Sequence, residues 1–349
     1  MRTVDALVTG GTGFIGRWLL PELTADGQRV AVLMRGESGR LGELRSWVDA
    51  HKGRGDLLHP LPGDLAAPGL RLNADDMVVA RTARTIFHLG AAMSFGLPDA
   101  VARDVNVEGS LRVAELAADS PRLQRLVLAT GFQHRRAPFW MPDNKYHDSK
   151  LEADTAVREY AKAHAIPLTV VHPGPVVGDS RTGETTQFWG WPDLVKALWR
   201  GRLPVAPGGN HHWMPLVAVN YVAGFIAGAA SLDETVGQDY WLLHDSTPPL
   251  GELIAAVAGY LGVSAPTLHL PMPLVVLGLR SGLSRWTGLD PEALVFIGTD
   301  RFPVADAVRL AEQIGLTEPD PIELACTTTR FLLDTDFGAK TSSERPHSR

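Results

Sequence analysis

The segment Val8-Thr9-Gly10-Gly11-Thr12-Gly13-Phe14-Ile15-Gly16 sits behind a short apolar run and ahead of residues with helical periodicity. No other feature of the chain restricts its fold as strongly. Gly11, Gly13 and Gly16 satisfy G-x-G-x-x-G, and Gly10, Gly13 and Gly16 satisfy the evenly spaced G-x-x-G-x-x-G. Glycine is needed where a chain turns sharply out of a strand and where backbone must approach a pyrophosphate. The helix that follows offers unpaired N–H groups and the positive end of its dipole to the phosphates. Glycine turns are common, but one placed between a strand and an amphipathic helix marks a dinucleotide-binding unit.

The alternation continues downstream. Ala6–Thr9 is expected as a strand and Phe14–Asp26 as a helix, with apolar residues at Phe14, Ile15, Trp18, Leu19 and Leu23 and with Pro21 counting against an unbroken run. Further strands are expected at 30–34, 58–61, 85–89, 126–129 and 168–172, with helices at about 104–119 and from Tyr146 to His164. The spacing predicts an α/β fold, a doubly wound parallel Rossmann sheet. After Pro173 the pattern changes. Residues 179–213 are rich in Gly, Pro and Trp, 217–230 reads as helix, 240–243 as a late strand, and later helices are interrupted by Pro266, Pro271 and Pro273. The expected division is a dinucleotide-binding domain at 1–178, to which 214–246 returns. A smaller, mostly helical C-terminal substrate lobe takes 179–213 and 247–335, and a polar, disordered tail takes 336–349.

A chain of 349 residues can bury a large core, and its net charge of −6 gives no electrostatic reason to expect nucleic acid or an anionic membrane. The single Cys326 excludes an intramolecular disulfide or a multi-cysteine metal site and reads as a small buried side chain. His211-His212 lacks a carboxylate at ligand spacing, so both are read as solvent-facing loop residues and no metal is expected. Met1–Asp5 runs directly into the first strand, and Leu268–Leu279 carries two prolines and is too short to span a bilayer. A soluble cytoplasmic protein is expected.

The second motif is Tyr146-His147-Asp148-Ser149-Lys150. Residues four apart share a helix face. A tyrosine titrates ordinarily near ~10, and a nearby ammonium favours the phenolate, so Lys150 is expected to lower the pKa of Tyr146. The same lysine can hydrogen-bond a nicotinamide ribose. Thr130, after Leu126-Val127-Leu128-Ala129, stands where a strand-end hydroxyl could hold the substrate oxygen, or simply cap a turn. Asn106 is read at the opening of the helix after the fourth strand, anchoring a water beside Lys150 or capping the helix. Leu33-Met34-Arg35, with Arg40 shortly after, favours NADP(H); Glu37 leaves NAD(H) open. Asp64, after Gly63, reaches an adenine or closes a turn.

With these landmarks the chain resembles the extended short-chain dehydrogenase/reductases over about its first half. The matching segments are Thr9 to Gly16, Gly63-Asp64-Leu65, His88-Leu89-Gly90-Ala91-Ala92, Asn106-Val107-Glu108-Gly109, Tyr146 to Lys150 and His172-Pro173-Gly174. Leu33-Met34-Arg35 and Pro175 to Gly183 look most like the fatty acyl-CoA reductase and thioester reductase branch. That resemblance implies NADPH-dependent reduction of thioester-bound acyl groups to aldehydes or alcohols. It implies Tyr146 as acid/base, Lys150 as cofactor-orienting group, Thr130 as the catalytic hydroxyl and Asn106 as water anchor. The cofactor set is Gly10, Thr12, Gly13, Phe14, Ile15, Gly16, Arg35, Asp64, Leu65, Leu89, Ala91, Lys150, Pro173 and Val176. Two departures stand out. Only fifteen residues separate Thr130 from Tyr146, in a basic loop with His134, Arg135 and Arg136, and His172 replaces the arginine common before this proline.

Met93, Phe95, Trp140, Phe188, Trp189, Trp191, Trp199 and Trp213 are candidates for an apolar pocket, although some must belong to the core. Met93, Phe95, Thr130, Trp189 and Trp213 are the substrate contacts expected. Arg181, Arg200 and Arg202 could meet the phosphates of a nucleotide sugar, a coenzyme or a carrier arm. The leading reading is an NADP(H)-dependent reductase of a small-molecule lipophilic carbonyl or acyl thioester, free or linked to a carrier or CoA. A sugar-nucleotide epimerase or dehydratase and a hydroxysteroid-like alcohol dehydrogenase are alternatives. A non-catalytic dinucleotide sensor is a third, opposed by the intact Tyr146/Lys150 pair. Monomer and homodimer are both compatible with the sequence.

Overall fold

The computed structural model describes residues 3–36, 39–133 and 135–339. Its strands are β1 (Ala6–Thr9), β2 (Val30–Met34), β3 (Leu58–Pro62), β4 (Thr85–His88), β5 (Arg125–Ala129), β6 (Leu168–Pro173), β7 (Val176–Val177), β8 (Ala206–Pro207), β9 (Val217–Ala218), β10 (Asp239–Leu242) and β11 (His269–Leu270). The helices of the first half are α1 (Phe14–Ala25), α2 (Gly39–Ala50), α3 (Ala74–Ala80), α4 (Asp99–Ala102), α5 (Gly109–Ala118) and α6 (Lys145–Ala163). Those of the second are α7 (Trp191–Trp199), α8 (Val219–Ala230), α9 (Leu250–Leu261), α10 (Met272–Gly278), α11 (Ser284–Thr287), α12 (Ala305–Gln313) and α13 (Pro321–Asp334).

Seven strands form one sheet in the order β10-β6-β5-β4-β1-β2-β3, with every neighbouring pair parallel. The chain winds outward in both directions from the β1–β4 pair. A crevice therefore opens beyond the carboxyl ends of these strands, at the switch point where ligands bind in such sheets. Successive residues of each strand feed opposite faces. Val8, Val32, Phe87 and Val127 join α1 and α8 on one side; Leu7, Ala31, Ile86 and Leu126 join α5 and α6 on the other. Burial on both faces is why these strands read as unbroken apolar runs.

The expected helix forms as α1, and it runs through Pro21, the residue that counted against it. Its residues Trp18, Leu19, Leu20 and Leu23 are buried in the core shared with α8, and that packing outweighs one missing backbone bond. The helices α2 and α3 were not legible: α2 buries only Leu44 and Val48 deeply, too few to set a pattern. The helix expected at 104–119 starts earlier, with α4, and passes through a π-helical stretch, Arg103–Glu108, into α5. One buried cluster runs from the sheet into α7, α9, α12 and α13, so the helical lobe shares its core with the Rossmann sheet. The expected disordered tail is corrected at its start, where Phe337 is buried in the main core, and residues 340–349 lie outside the described residues. No helix among the described residues is long and apolar enough to cross a membrane.

Candidate active site

The chain turns out of β1 at Gly10, whose φ of +74° lies in the left-handed region. A side chain there would stand 2.6 Å from the Gly90 nitrogen, and one at Gly16 would stand 2.2 Å from the Gly10 carbonyl oxygen. Only glycine fits either position. Gly13 is the N-cap of α1; no side chain caps it, and no acidic residue occupies the first turn. The helix thus keeps its first N–H groups and its positive dipole end for an anion, and the loop lets a pyrophosphate come against the backbone. The residues fit a dinucleotide.

A cavity of about 230 Å³ opens at this point, lined by Gly10, Gly13, Phe14, Ile15, Gly16, Leu89, Ala91, Pro173 and Val176 together with Thr130, Tyr146 and Lys150. Thr12, Arg35, Asp64 and Leu65 lie outside it. Arg35 is exposed beyond the end of β2, and the Arg40 guanidinium comes within 3.8 Å of where a Gly36 side chain would stand. Glu37, the residue that kept NAD(H) open, lies outside the described residues, as does His134. Asp64 accepts from the Ala66 N–H at 3.1 Å, and the Thr12 carbonyl accepts from Arg17 Nε at 3.1 Å. Leu65 packs beneath Gly90, where a Cβ would meet it at 2.6 Å.

Thr130 extends the β5–β6 ladder by donating its N–H to the Val171 carbonyl at 3.0 Å, and it is buried. Tyr146 and Lys150 lie one turn apart on α6, whose start is fixed by Asn144 accepting from the His147 N–H at 2.9 Å. Lys150 is buried and donates from Nζ to the Ala129 carbonyl at 2.7 Å, at the end of β5. Burial lowers its pKa to about 8. Burial also pushes the Tyr146 phenol up to about 12. This reverses the expected effect of the Lys-Tyr pair: the cost of desolvating a phenolate dominates, and the lysine directs a proton at Ala129.

Asn106 neither opens nor caps a helix. It is buried inside the π-helical stretch, with Oδ1 accepting from Ala92 N at 2.7 Å and Nδ2 donating to Ala92 O at 3.1 Å and Ser149 Oγ at 2.9 Å. Ser149 donates in turn to the Tyr146 carbonyl at 2.9 Å. Behind Asn106 a polar chain continues to β1: Ser110 Oγ donates to the Asn106 carbonyl at 2.5 Å, His88 Nε2 lies 2.8 Å from Ser110 Oγ, and His88 Nδ1 lies 2.6 Å from Thr9 Oγ1. Burial, helped by the Lys150 charge, lowers the His88 pKa to about 3, so its ring is neutral. Ser110 uses its proton on Asn106, so Nε2 is the donor and Nδ1 accepts from Thr9.

His172, in place of the more common arginine, lies 3.0 Å from the Gly131 carbonyl and 3.0 Å from Asp239 Oδ1, stacked on Trp241 with centroids 4.2 Å apart. Burial opposes ionisation of Asp239, but hydrogen bonds from His172 and Arg158 hold its carboxyl down to about 2. The departure thus brings with it a side-chain network that ties the edge strand β10 to β6.

Met93 and Trp189 line the first cavity, as do Trp191, His147 and Phe296. A second cavity of about 240 Å³ is bounded by Met93, Ser94, Phe95, Asn144, Tyr146, Trp189 and Phe296. Trp213 is a correction. It is 1% exposed, donates from Nε1 to the Asp300 carbonyl at 3.0 Å and lies under the Arg301 guanidinium at 4.0 Å. It packs with Phe132, Leu243 and Phe302 and lines neither cavity, so it is a core residue. Trp199 is exposed against Phe337, and Phe188 and Trp140 pack on the main core. Arg181, Arg200 and Arg202 line neither cavity. Cys326 is only partly buried, beside the main core. Among the described residues no group of His, Cys, Asp or Glu is arranged to hold a metal.

Several lining residues escaped the sequence reading, among them Gln133, Gln187, Met214, His147 and Phe296. His147 sits inside the Tyr146–Lys150 motif and donates from Nε2 to the Arg135 carbonyl at 2.8 Å, so its position was available though its role was not. Phe296 comes from a 3-10 turn, Pro291–Phe296, and carries no local signal.

The sheet order, the open helix N-terminus and the cavity shared with Tyr146 and Lys150 define an extended short-chain dehydrogenase/reductase, an NAD(P)-dependent oxidoreductase. The chain belongs to the NAD-binding family described as "Male sterility protein", which matches residues 8–138 and 133–226. Its likeness within the superfamily is to the fatty acyl-CoA reductase and thioester reductase branch. It is 27% identical over 254 residues to peramine synthetase ppzA of Metarhizium rileyi, a match covering 64% of this chain and 8% of that protein. It is 26% identical over 337 residues to aldehyde reductase lnaA of Aspergillus flavus, covering 80% of this chain and 32% of that protein. The chain thus spans a small part of these relatives. The terminal R domain from the myxalamid PKS-NRPS biosynthetic pathway superposes with a TM-score of 0.78 at 23% identity, over 97% of this chain and 92% of that one.

Proposed function

We propose that the protein is an NADPH-dependent reductase of a lipophilic carbonyl compound or acyl thioester, free or linked to CoA or a carrier. The observation that carries this reading is convergence. Thr130, Tyr146 and Lys150 line one cavity with the glycine loop, and the space beyond Tyr146 is walled by Met93, Phe95, Trp189 and Phe296. A nucleotide sugar would want cations there, and the candidate arginines lie elsewhere. Arg35, just after β2, and Arg40, in the first turn of α2, support NADP(H), because two guanidinium groups suit a 2′-phosphate better than a ribose hydroxyl. Residues 1–178 and 214–246 would carry the cofactor, and 179–213 with 247–335 the substrate. The terminal reductase likeness supports a thioester substrate.

When bound, the cofactor supplies a hydride to the carbonyl carbon. Thr130 holds the carbonyl oxygen. Tyr146 gives its proton to that oxygen as the π electrons of the C=O bond move onto it. Its raised pKa keeps the phenol protonated at working pH, which suits an acid in reduction. From a thioester the tetrahedral product returns its hydroxyl proton to the Tyr146 phenolate as its C–S bond breaks, the electron pair leaving on sulfur as thiolate, and an aldehyde remains. Lys150 would hold the nicotinamide ribose of a bound cofactor, and its charge offsets that left on Tyr146. Asn106, through Ser149, positions α6. Holding the carbon at hydride distance contributes on the order of 7–11 kcal/mol.

NADPH consumption with a panel of thioesters and aldehydes tests the reading. Tyr146→Phe should cut kcat about a thousandfold while leaving NADPH affinity unchanged. A fully active variant overturns the scheme, as does a purified protein that holds NAD without exchange and interconverts nucleotide sugars.

A further inference from the structure

We propose that the second cavity receives the far end of the acyl group, and that the group it selects is a compact aryl acyl of one or two rings. This rests on the reductase reading above. Met93, Tyr146, Trp189 and Phe296 border both cavities, so an acyl carbon held at Tyr146 continues directly from the first into the second. Among the described residues no charged side chain lines the second cavity; Ser94 and Asn144 are its polar groups besides Tyr146.

Size restricts the occupant. A dry apolar cavity of roughly 150 Å³ holds benzene, so about 240 Å³ has room for about ten carbons in compact form. Shape restricts it further. Phe95 stands edge-on to Trp189, with centroids 5.3 Å apart at 81°, and Trp189 is tilted 40° to Phe296 at 6.4 Å. Ring faces and ring edges are both presented, the arrangement in which a further aromatic ring finds edge-to-face partners.

The walls are also held apart at a set width. Gly96 N donates to Glu292 Oε1 at 2.9 Å, Asn144 Nδ2 donates to the Glu292 carbonyl at 3.4 Å, and Gln133 Nε2 donates to the Val295 carbonyl. The first ties the loop carrying Phe95 to the turn carrying Phe296, and the other two tie that turn to the start of α6 and to the segment after β5, so a flat ring meets a site already formed.

The test uses NADPH oxidation with the N-acetylcysteamine thioesters of acetic, 3-phenylpropanoic and dodecanoic acids, and with the matching aldehydes. The 3-phenylpropanoyl compounds should lead in kcat/KM by about tenfold or more. Trp189→Ala and Phe296→Ala should each erase most of that lead, read as the ratio of 3-phenylpropanoyl to acetyl kcat/KM within each variant. Binding of unreactive 3-phenylpropanamide to the NADPH-loaded protein, by calorimetry, should weaken about tenfold in the same variants, with circular dichroism showing that they fold. Equal kcat/KM across the three acyl groups overturns the aryl pocket and leaves the reductase reading standing. Amide binding that depends on Trp189 and Phe296, with no carbonyl reduced, supports the pocket and overturns the reductase reading. A dodecanoyl preference overturns the pocket in favour of a fatty acyl one.

Discussion

The two ends of the cleft are built from different material. At the cofactor end the surface is backbone: Gly10, Gly13, Gly16 and the uncapped start of α1. At the other end it is side chains, drawn from a loop at Met93–Phe95, from Trp189 ahead of α7 and from a turn at Phe296. A backbone surface depends on a few residues that cannot carry a Cβ, and it recurs wherever a strand-glycine-helix unit recurs. A side-chain surface is set one residue at a time, and it can change its ligand without disturbing the sheet. One end should therefore fail abruptly on substitution and the other should change preference gradually.

The largest effect expected in the cleft's binding is at Gly16. An alanine there meets the Gly10 carbonyl oxygen, which belongs to the turn itself and cannot swing away. NADPH affinity should fall about tenfold to a hundredfold, with a lower melting temperature; fluorescence titration checks the first, and affinity within twofold of the parent would erase the contrast between the two ends. Next, Arg35→Ser combined with Arg40→Ser should weaken NADPH about tenfold and leave NADH unchanged. Equal losses for both cofactors would move the 2′-phosphate contact elsewhere.

The pH profile separates chemistry from folding. Lys150 titrates near 8 in the fold against an ordinary value of 10.5, so kcat/KM should fall as pH rises through about 8 and the ammonium is lost. Between those values the unfolded chain binds more protons than the folded one, so stability attributable to Lys150 should rise with pH over the same window. Activity falling while the unfolding midpoint rises is the signature; a parallel decline would assign the limb to denaturation. Tyr146, held near 12, adds no limb below it.

The smallest effect belongs to the buried chain behind the site. Ser110→Ala leaves the His88 Nε2–H and the Asn106 carbonyl without that partner, which should cost about 1–3 kcal/mol in stability and change kcat only a few-fold. Thermal unfolding measures the first. A collapse of kcat with stability intact would place Ser110 nearer the chemistry than the geometry does.

The sheet was legible because parallel strands buried on both faces must be apolar throughout, and because the β1–α1 unit accepts only glycine at positions 10 and 16. Tyr146, Lys150 and Thr130 were legible by position: a helix spacing of four and the residue after a strand end. Other features depended on what packs where. Asn106 has the local pattern of a helix opener, yet its carboxamide meets Ala92 and Ser149, which no local pattern announces. Trp213 has the look of a pocket aromatic in the sequence, and Phe132, Leu243 and Phe302 enclose it in the fold. Phe296 looks like nothing in particular, since a turn at 291–296 becomes a wall only by being tied to Gly96 and Gln133.

By itself the sequence determined the winding of the sheet, the dinucleotide cradle and the pairing of a tyrosine with a lysine, because each follows from short-range rules of backbone conformation and spacing. The tertiary structure alone decided the charge behaviour and the shape of the space beyond Tyr146. How far a phenol or an ammonium is removed from water, and which rings face one another, are set by residues far apart in the chain. The glycine loop could be read one residue at a time; the aromatic box exists only once the chain has closed around it.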